Sequence, residues 1–320
     1  MGQVVDSLDK SSGSCPPTHC PLCDSDKLGR TDQFRNDVWQ VWECHRCTTV
    51  FVWPIPDDLT LANSYQYSRY ASRVYVDQPW VAASRVRRIG HLLNALERVS
   101  KPGGKILDIG CSRGHLLIEA KLRGWVPEGI ELDPDTARIA NHNGDLTIYP
   151  GSAFEVIPKL GAYDAIVMSH WLEHVTRPRL ALQLILQHLK PNGLIVMRFP
   201  NSDSTLARLV GALWSWFSPP NHLFYFNRRS LQIICKEYSL DPVVVETWRG
   251  DAYLMPLELA VSLWRWLSKS DAAELRASSS NELAQSLMRA CEIFAPGFVD
   301  RFAHNDTELL AILRPGARVH

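Results

Sequence analysis

Residues 106–114 read ILDIGCSRG. Lys105 to Ile109 is an apolar run of strand length, and Gly110 to Gly114 is a tight turn that opens a helix predicted over His115 to Arg123. The two glycines let the backbone approach a ligand where a Cβ would collide, and the helix start presents unpaired N–H groups at the same place. Outward from this turn the alternation repeats. Strands are predicted at Val126 to Leu132, Leu146 to Tyr149, Tyr163 to Met168, Leu194 to Phe199, Pro242 to Trp248 and Thr307 to Leu313. Helices are predicted at Pro134 to His142, Arg179 to Lys190 and Arg229 to Tyr238. That order predicts an α/β protein built on a doubly wound, seven-stranded sheet. Two insertions interrupt it, at 201–227 and 250–306, the second reading as helical and rich in Leu and Trp.

An acid, Glu131, ends the second strand of this series, 17 residues after Gly114. A carboxylate there can accept both hydroxyls of a ribose and would repel a phosphorylated one. A dinucleotide dehydrogenase wants G-x-G-x-x-G at the preceding turn, and Ser112 and His115 break that pattern.

The chain has 320 residues, enough for about two domains or one large domain with an appendage. Lys plus Arg and Asp plus Glu both number 34, so no overall positive field exists to hold a nucleic-acid backbone. No apolar stretch approaches the roughly 20 residues that a membrane-spanning helix needs, which excludes integral membrane association by a helix. The N-terminal MGQVVDSLDKSSGSC lacks a basic segment followed by an apolar one, so a cytoplasmic protein without a secretory signal is expected.

In that compartment eight cysteines read as thiols or metal ligands. Cys20 and Cys23 form one C-x-x-C, Cys44 and Cys47 a second, with 20 residues between the pairs. Two such knuckles complete a closed S4 site, so a structural Zn2+ is expected on a zinc ribbon whose hairpin uses Val38 to Trp42 and Thr49 to Trp53. Cys15, His19 and His45 read as bystanders. Residues 1–60 carry nine acids against five bases, which repels phosphate and makes the ribbon a scaffold or substrate-side module. The expected division is a disordered tail at 1–14, the ribbon at 15–60, a helical lid or linker at 61–100 and the sheet domain at 101–320. Arg85, Arg87 and Arg88 read as a solvated helix face or partners of the acidic ribbon. Leu254 to Leu267, with Trp264 and Trp266, reads as packing against the sheet, with a homodimer contact or a membrane surface as the other uses of such a stretch.

The runs ILDIGCSRG, GIELDP (129–134), YDAIVMSHWLEHV (163–175) and LKPNGLIVMRFPN (189–201) together resemble the class I S-adenosylmethionine-dependent methyltransferases, over roughly residues 100–315. The resemblance implies a Rossmann-like fold and S-adenosylmethionine as cofactor. It places Asp108, Gly110, Cys111, Ser112 and Gly114 around the methionine portion and Glu131 on the ribose. Leu132, Ser152 and Ala153 fall near the adenine, and His170 at the end of the fourth strand. The segment 200–231, PNSDSTLARLVGALWSWFSPPNHLFYFNRRSL, resembles one that a broad bacterial subgroup carries after its fifth strand. Members with a ribbon in front share a tyrosine-rich link like residues 65–70, and include sugar methyltransferases and enzymes of polysaccharide or natural-product pathways. The resemblance therefore implies a small-molecule or carrier-linked sugar substrate. Two departures stand out: Ser112 replaces the middle glycine of the usual turn, and the extra C-terminal domain of the sugar C-methyltransferases is missing.

Methyl transfer asks mainly for alignment, and for a base only where the nucleophile must lose a proton. His222 and His174 are the candidate catalytic bases, with Tyr225 as polar partner, because His222 lies in PPNHLFYF where two prolines stiffen the loop and aromatics could wall a pocket. His170 to His174 also spells H-x-x-E-H, but a zinc peptidase places both histidines on one long helix, and Pro178 follows too soon for one here. The alternative of another class is a catalytically idle methyltransferase-like module that binds a partner through its ribbon.

Overall fold

The computed structural model describes residues 15–31, 33–34, 36, 39–57, 61, 79–214, 216–248 and 307–316. The N-terminal tail, the tyrosine-rich link and the 250–306 insertion lie outside them. Eleven of the elements match the predicted alternation, and the first eight are β4 (Lys105–Ile109), α2 (His115–Leu122), β5 (Val126–Glu131), α3 (Pro134–Gly144), β6 (Thr147–Pro150), β7 (Tyr163–Ser169), α5 (Pro178–Gln187) and β8 (Leu189–Pro200). Helix α1 (Pro79–Glu97) precedes them, short α4 (Ala153–Val156) lies after β6, and α7 (Arg228–Glu237), β10 (Leu240–Trp248) and β11 (Glu308–Pro315) follow. The sheet runs β10-β11-β8-β7-β4-β5-β6. Strands β4 to β8 pair in parallel, and β11 is antiparallel to both neighbours.

The central strands are continuous apolar runs because helices cover both faces. In α5 the buried positions are Pro178, Ala181, Leu182 and Ile185, the i, i+3, i+4, i+7 stripe of a helix lying on a sheet. Helix α5 ends three residues earlier than its composition suggests, and β8 starts five earlier. Leu189 already pairs with Tyr163, and the register then shifts before Ala165 pairs with Leu194. Gly193 sits in that irregularity, where a Cβ would meet the carbonyl oxygens of Lys190 and Tyr163 at 2.9 and 3.0 Å.

The ribbon departs further from expectation. It has three strands of its own, β1 (Leu28–Arg30), β2 (Gln40–Cys44) and β3 (Val50–Trp53), and a fourth from the other end of the chain. The 201–227 insertion contains α6 (Thr205–Val210) and β9 (Phe224–Tyr225), and β9 completes a sheet of order β1-β2-β3-β9. The ribbon is thus packed into the sheet domain: its four cysteines and Phe51 share one core with Ile109, Met168, Phe199, Phe224 and Phe226. Phe224, in the paired strand, and Phe226, just after it, expected as pocket walls, are instead fully buried core residues whose rings stack with centroids 5.9 Å apart. Among the described residues no helix is long and apolar enough to cross a membrane.

Candidate active site

The strand order reverses at β4, which has β5 on one side and β7 on the other, so a crevice opens beyond the carboxyl ends of these strands. The turn after β4 is left-handed at three positions, Gly110 (φ 76°), Ser112 (φ 50°) and Gly114 (φ 72°). A Cβ on Gly110 would come within 2.7 Å of the Trp171 ring, and one on Gly114 within 2.6 Å of Leu146, so neither position has room for a side chain. Ser112 holds its strained conformation with help: its N–H donates to Glu131 Oε2 at 2.9 Å. The N–H of Asp133 donates to the other oxygen, Oε1, also at 2.9 Å. Both oxygens of Glu131 keep a further lone pair for a ligand's hydroxyls.

The remaining predicted cofactor residues, His170 apart, lie around the same strand ends. Asp108 is buried at the end of β4, and desolvation together with the Glu131 charge pushes its carboxyl up to about 8. Cys111 is buried against Gly129. Leu132, beside Glu131, leaves half its surface exposed, an apolar face offered to the crevice. The Gly151 N–H donates to the Glu131 carbonyl at 2.9 Å, which ties the Ser152–Ala153 turn to the same place.

His170 points elsewhere. Its backbone is left-handed (φ 55°), its ring lies flat on Trp216 with centroids 5.0 Å apart, and its nitrogens approach Glu173 Oε1 at 3.3 Å and Glu308 Oε2 at 3.6 Å. Burial works against the imidazolium, but Glu308 and Glu173 outweigh it and raise the pKa above the ordinary value. Glu308 in turn lies 3.0 Å from Arg88 Nε and 3.7 Å from Arg198 Nε. Burial alone would raise its pKa, but His170, Arg88 and Arg198 hold it down at about 2. Arg198 also donates to the Arg88 carbonyl at 2.8 Å and lies 2.7 Å from His91 Nδ1. Sequence reasoning missed Glu308 and Arg198. Arg198 carried a signal, a lone cation inside the apolar LIVMRFP; Glu308 had none, being one acid at the edge of an insertion.

The two candidate bases, 48 residues apart in sequence, meet edge to face with ring centroids 4.6 Å apart. His174 closes a short 3-10 turn, Leu172–His174, rather than standing on a long helix, so H-x-x-E-H lacks peptidase geometry here. The Asn221 carbonyl lies 2.6 Å from His174 Nδ1 and can only accept, so Nδ1 carries a proton. His222 is buried between Trp216 and His174, and its Nδ1 has no hydrogen-bond partner among the described residues. Desolvation, with His174 adding to it, lowers its pKa to about 3. Buried Glu173 offers a carboxylate oxygen within 4.8 Å of both rings. The Tyr225 hydroxyl donates to the His222 carbonyl at 3.0 Å and its ring stacks on Phe34, so it supports the loop rather than the imidazole.

In the ribbon, Cys20, Cys23, Cys44 and Cys47 are buried with their sulfurs within 4.8 Å of one another. The Cys20–Cys47 and Cys23–Cys44 separations are 3.7 and 3.6 Å. A disulfide is far shorter at about 2.05 Å, whereas a tetrahedron of metal–sulfur bonds near 2.3 Å has edges of about 3.8 Å. The donor set therefore fits one zinc ion.

The Methyltransferase domain family matches residues 81–245, just over half of the chain, from within α1 into β10. A ubiquinone biosynthesis O-methyltransferase of Xanthomonas campestris pv. campestris is 30% identical over 146 residues, 42% of this chain and 58% of the relative. One of Dechloromonas aromatica is 26% identical over 195 residues, 59% of this chain and 74% of the relative. The chain thus spans little more than half of the first of these proteins. Among solved structures, the plantazolicin methyltransferase BpumL, in complex with a monoazolic desmethyl analogue and SAH, superposes with a TM-score of 0.50 at 17% identity, covering 79% of this chain and 92% of that one. That likeness concerns the fold alone. With the turn after β4, the acid after β5 and the sheet order all in place, the chain belongs to the Methyltransferase domain family, of the class I, Rossmann-like kind.

Proposed function

We propose that this chain transfers a methyl group from S-adenosylmethionine to a hydroxyl oxygen of a small molecule or a carrier-linked sugar. The observation that carries the cofactor half is the Glu131 carboxylate, clamped by the Ser112 and Asp133 N–H groups at the mouth of the crevice. The names of the matched relatives, both O-methyltransferases, support oxygen as the methylated atom.

Glu131 would accept the ribose hydroxyls, Leu132 and the Ser152–Ala153 turn would flank the base, and Asp108 with the 110–114 turn would face the amino-acid end. The bound cofactor supplies a methyl group that is already electrophilic, so the protein's main task is alignment. His222 is neutral at physiological pH, and its Nδ1, covered in this structure, would take the proton of an acceptor hydroxyl where a bound acceptor reaches it. The buried Glu173 carboxylate offsets the positive charge that the ring then acquires. His174, anchored on Asn221, packs against the edge of that ring and fixes its plane. In the ribbon, Cys20, Cys23, Cys44 and Cys47 would hold one structural zinc.

Calorimetry with S-adenosylhomocysteine tests the cofactor half: no binding to folded protein would leave the idle partner-binding module. Mass spectrometry of sugar-carrier and hydroxylated aromatic acceptors, scored by gain of one methyl, tests the acceptor class. On the acceptor so found, His222→Ala is expected to lower turnover by about 100-fold with cofactor affinity unchanged. Near-normal turnover would make His222 a loop anchor.

A further inference from the structure

Among the described residues, strand β9 joins no strand of the main sheet. It pairs with β3 of the ribbon, Val50 opposite Tyr225 and Phe51 opposite Phe224, and the Val52 N–H donates to the Leu223 carbonyl at 2.9 Å. His222 therefore sits at the mouth of a strand that belongs to the ribbon. The same loop is tied on its other side to the turn after β7: the Leu223 N–H donates to the Glu173 carbonyl at 2.8 Å, and His174 Nδ1 to the Asn221 carbonyl.

The second cysteine knuckle reaches this segment by a further route. Thr49 is fully buried, its hydroxyl 3.2 Å from Cys47 Sγ and 2.8 Å from the Ser230 hydroxyl. Ser230 Oγ accepts from the Asn227 N–H at 3.3 Å, and Asn227 Oδ1 accepts from the Ser230 N–H at 3.0 Å, a reciprocal cap on α7. The Asn227 amide also donates to the Thr48 carbonyl at 2.9 Å. A metal-bound thiolate is an acceptor only, so a loaded Cys47 would draw the Thr49 hydroxyl proton toward itself. That leaves the Thr49 oxygen to accept from Ser230, whose hydroxyl also lies 3.3 Å from the Cys47 carbonyl and 3.2 Å from Asn227 Oδ1.

We propose that the cysteine knuckle, acting through Thr49 and strand β3, is the support that holds His222 against the turn after β7. Thr49 is a positioning residue for the acceptor side of the site. The inference rests on the reading of His222 and of the zinc given above, and goes beyond it by giving the ribbon a task in the reaction.

Hydrogen exchange of the full chain, read by mass spectrometry, tests it without an acceptor. Thr49→Val keeps all four cysteines, so zinc analysis should still return the wild-type metal content. Amides of 219–227 are expected to exchange about tenfold faster or more, while those of β4, β7 and β8 stay as in the wild type. Thr49→Ser, which restores the hydroxyl, should exchange like the wild type, and Ser230→Ala like Thr49→Val. Removing metal from the wild type with a chelator should open the same segment and leave S-adenosylhomocysteine affinity within about twofold. Unchanged protection of 219–227 in Thr49→Val overturns the proposal, as does equal loosening of the central strands, which would make Thr49 a general core residue. Protein purified without zinc would remove the metal from the reading while leaving the Thr49 arm as a test of the loop.

Discussion

Glu131 and Asp108 carry opposite burdens although both face the crevice. Glu131 is held by two backbone donors, so Glu131→Ala removes a ribose acceptor and also frees the Ser112 N–H that steadies a left-handed serine. The expected loss of S-adenosylhomocysteine affinity, by calorimetry, is about 1–3 kcal/mol. Asp108 sits above the usual carboxylate range at about 8, against 3.8 in the unfolded chain. Between those values the fold keeps a proton that the unfolded chain releases, so Asp108 makes stability fall as pH rises across the window. A cationic amino group bound beside it favours the ionised form. Cofactor affinity is therefore expected to strengthen as pH rises toward about 8 and to level off above it, with the slope absent in Asp108→Asn; a flat wild-type profile in calorimetry would separate Asp108 from the ammonium. Ser112→Gly should be close to neutral for stability, because relief of about 1 kcal/mol of backbone strain is met by a similar gain in the freedom of the unfolded chain.

At the scale of elements, the strand-turn-helix around Gly110 and the two C-x-x-C pairs were legible because each is a local pattern: an apolar run meeting two glycines, or four thiols at fixed spacing. The boundaries of α5 and β8 were not, since Leu189 joins its strand through a partner, Tyr163, that spacing alone cannot nominate. The aromatics of FYF were misplaced for the same reason: an aromatic tripeptide after two prolines suits a pocket wall as well as a buried strand, and only the pairing with β3 decides. The ribbon itself yields a sharp count. Metal analysis is expected to give one zinc per chain, lost in Cys23→Ser, with β1 to β3 loosened and the seven-stranded sheet still folded. A second equivalent that survives Cys23→Ser and disappears with His174→Ala would give Glu173, His174 and His222 a cation of their own.

Across the whole molecule, the buried charges tie distant segments together. Arg88 belongs to α1, His170 to the turn after β7, Arg198 to β8 and Glu308 to β11, so one carboxylate joins four parts of the fold. Trp248, the last residue of β10, and Glu308, the first of β11, are paired across the sheet. Glu308→Gln leaves buried cations without their counter-charge, and denaturant unfolding at pH 7 is expected to show a loss of about 3–5 kcal/mol. Because the folded pKa is about 2 against 4.5 unfolded, the contribution of Glu308 is present above 4.5 and lost as pH falls toward 2. The variant should therefore differ least from the wild type in acid. The pairing of Val50 with Tyr225 also sets an order of events during synthesis. When the first three strands emerge from the ribosome, the free edge of β3 has no mate, and it stays open until the polymer is some 175 residues longer. A sheet edge exposed for that interval is a site for pairing with another nascent chain, so the yield of native protein should depend on how fast translation reaches Tyr225.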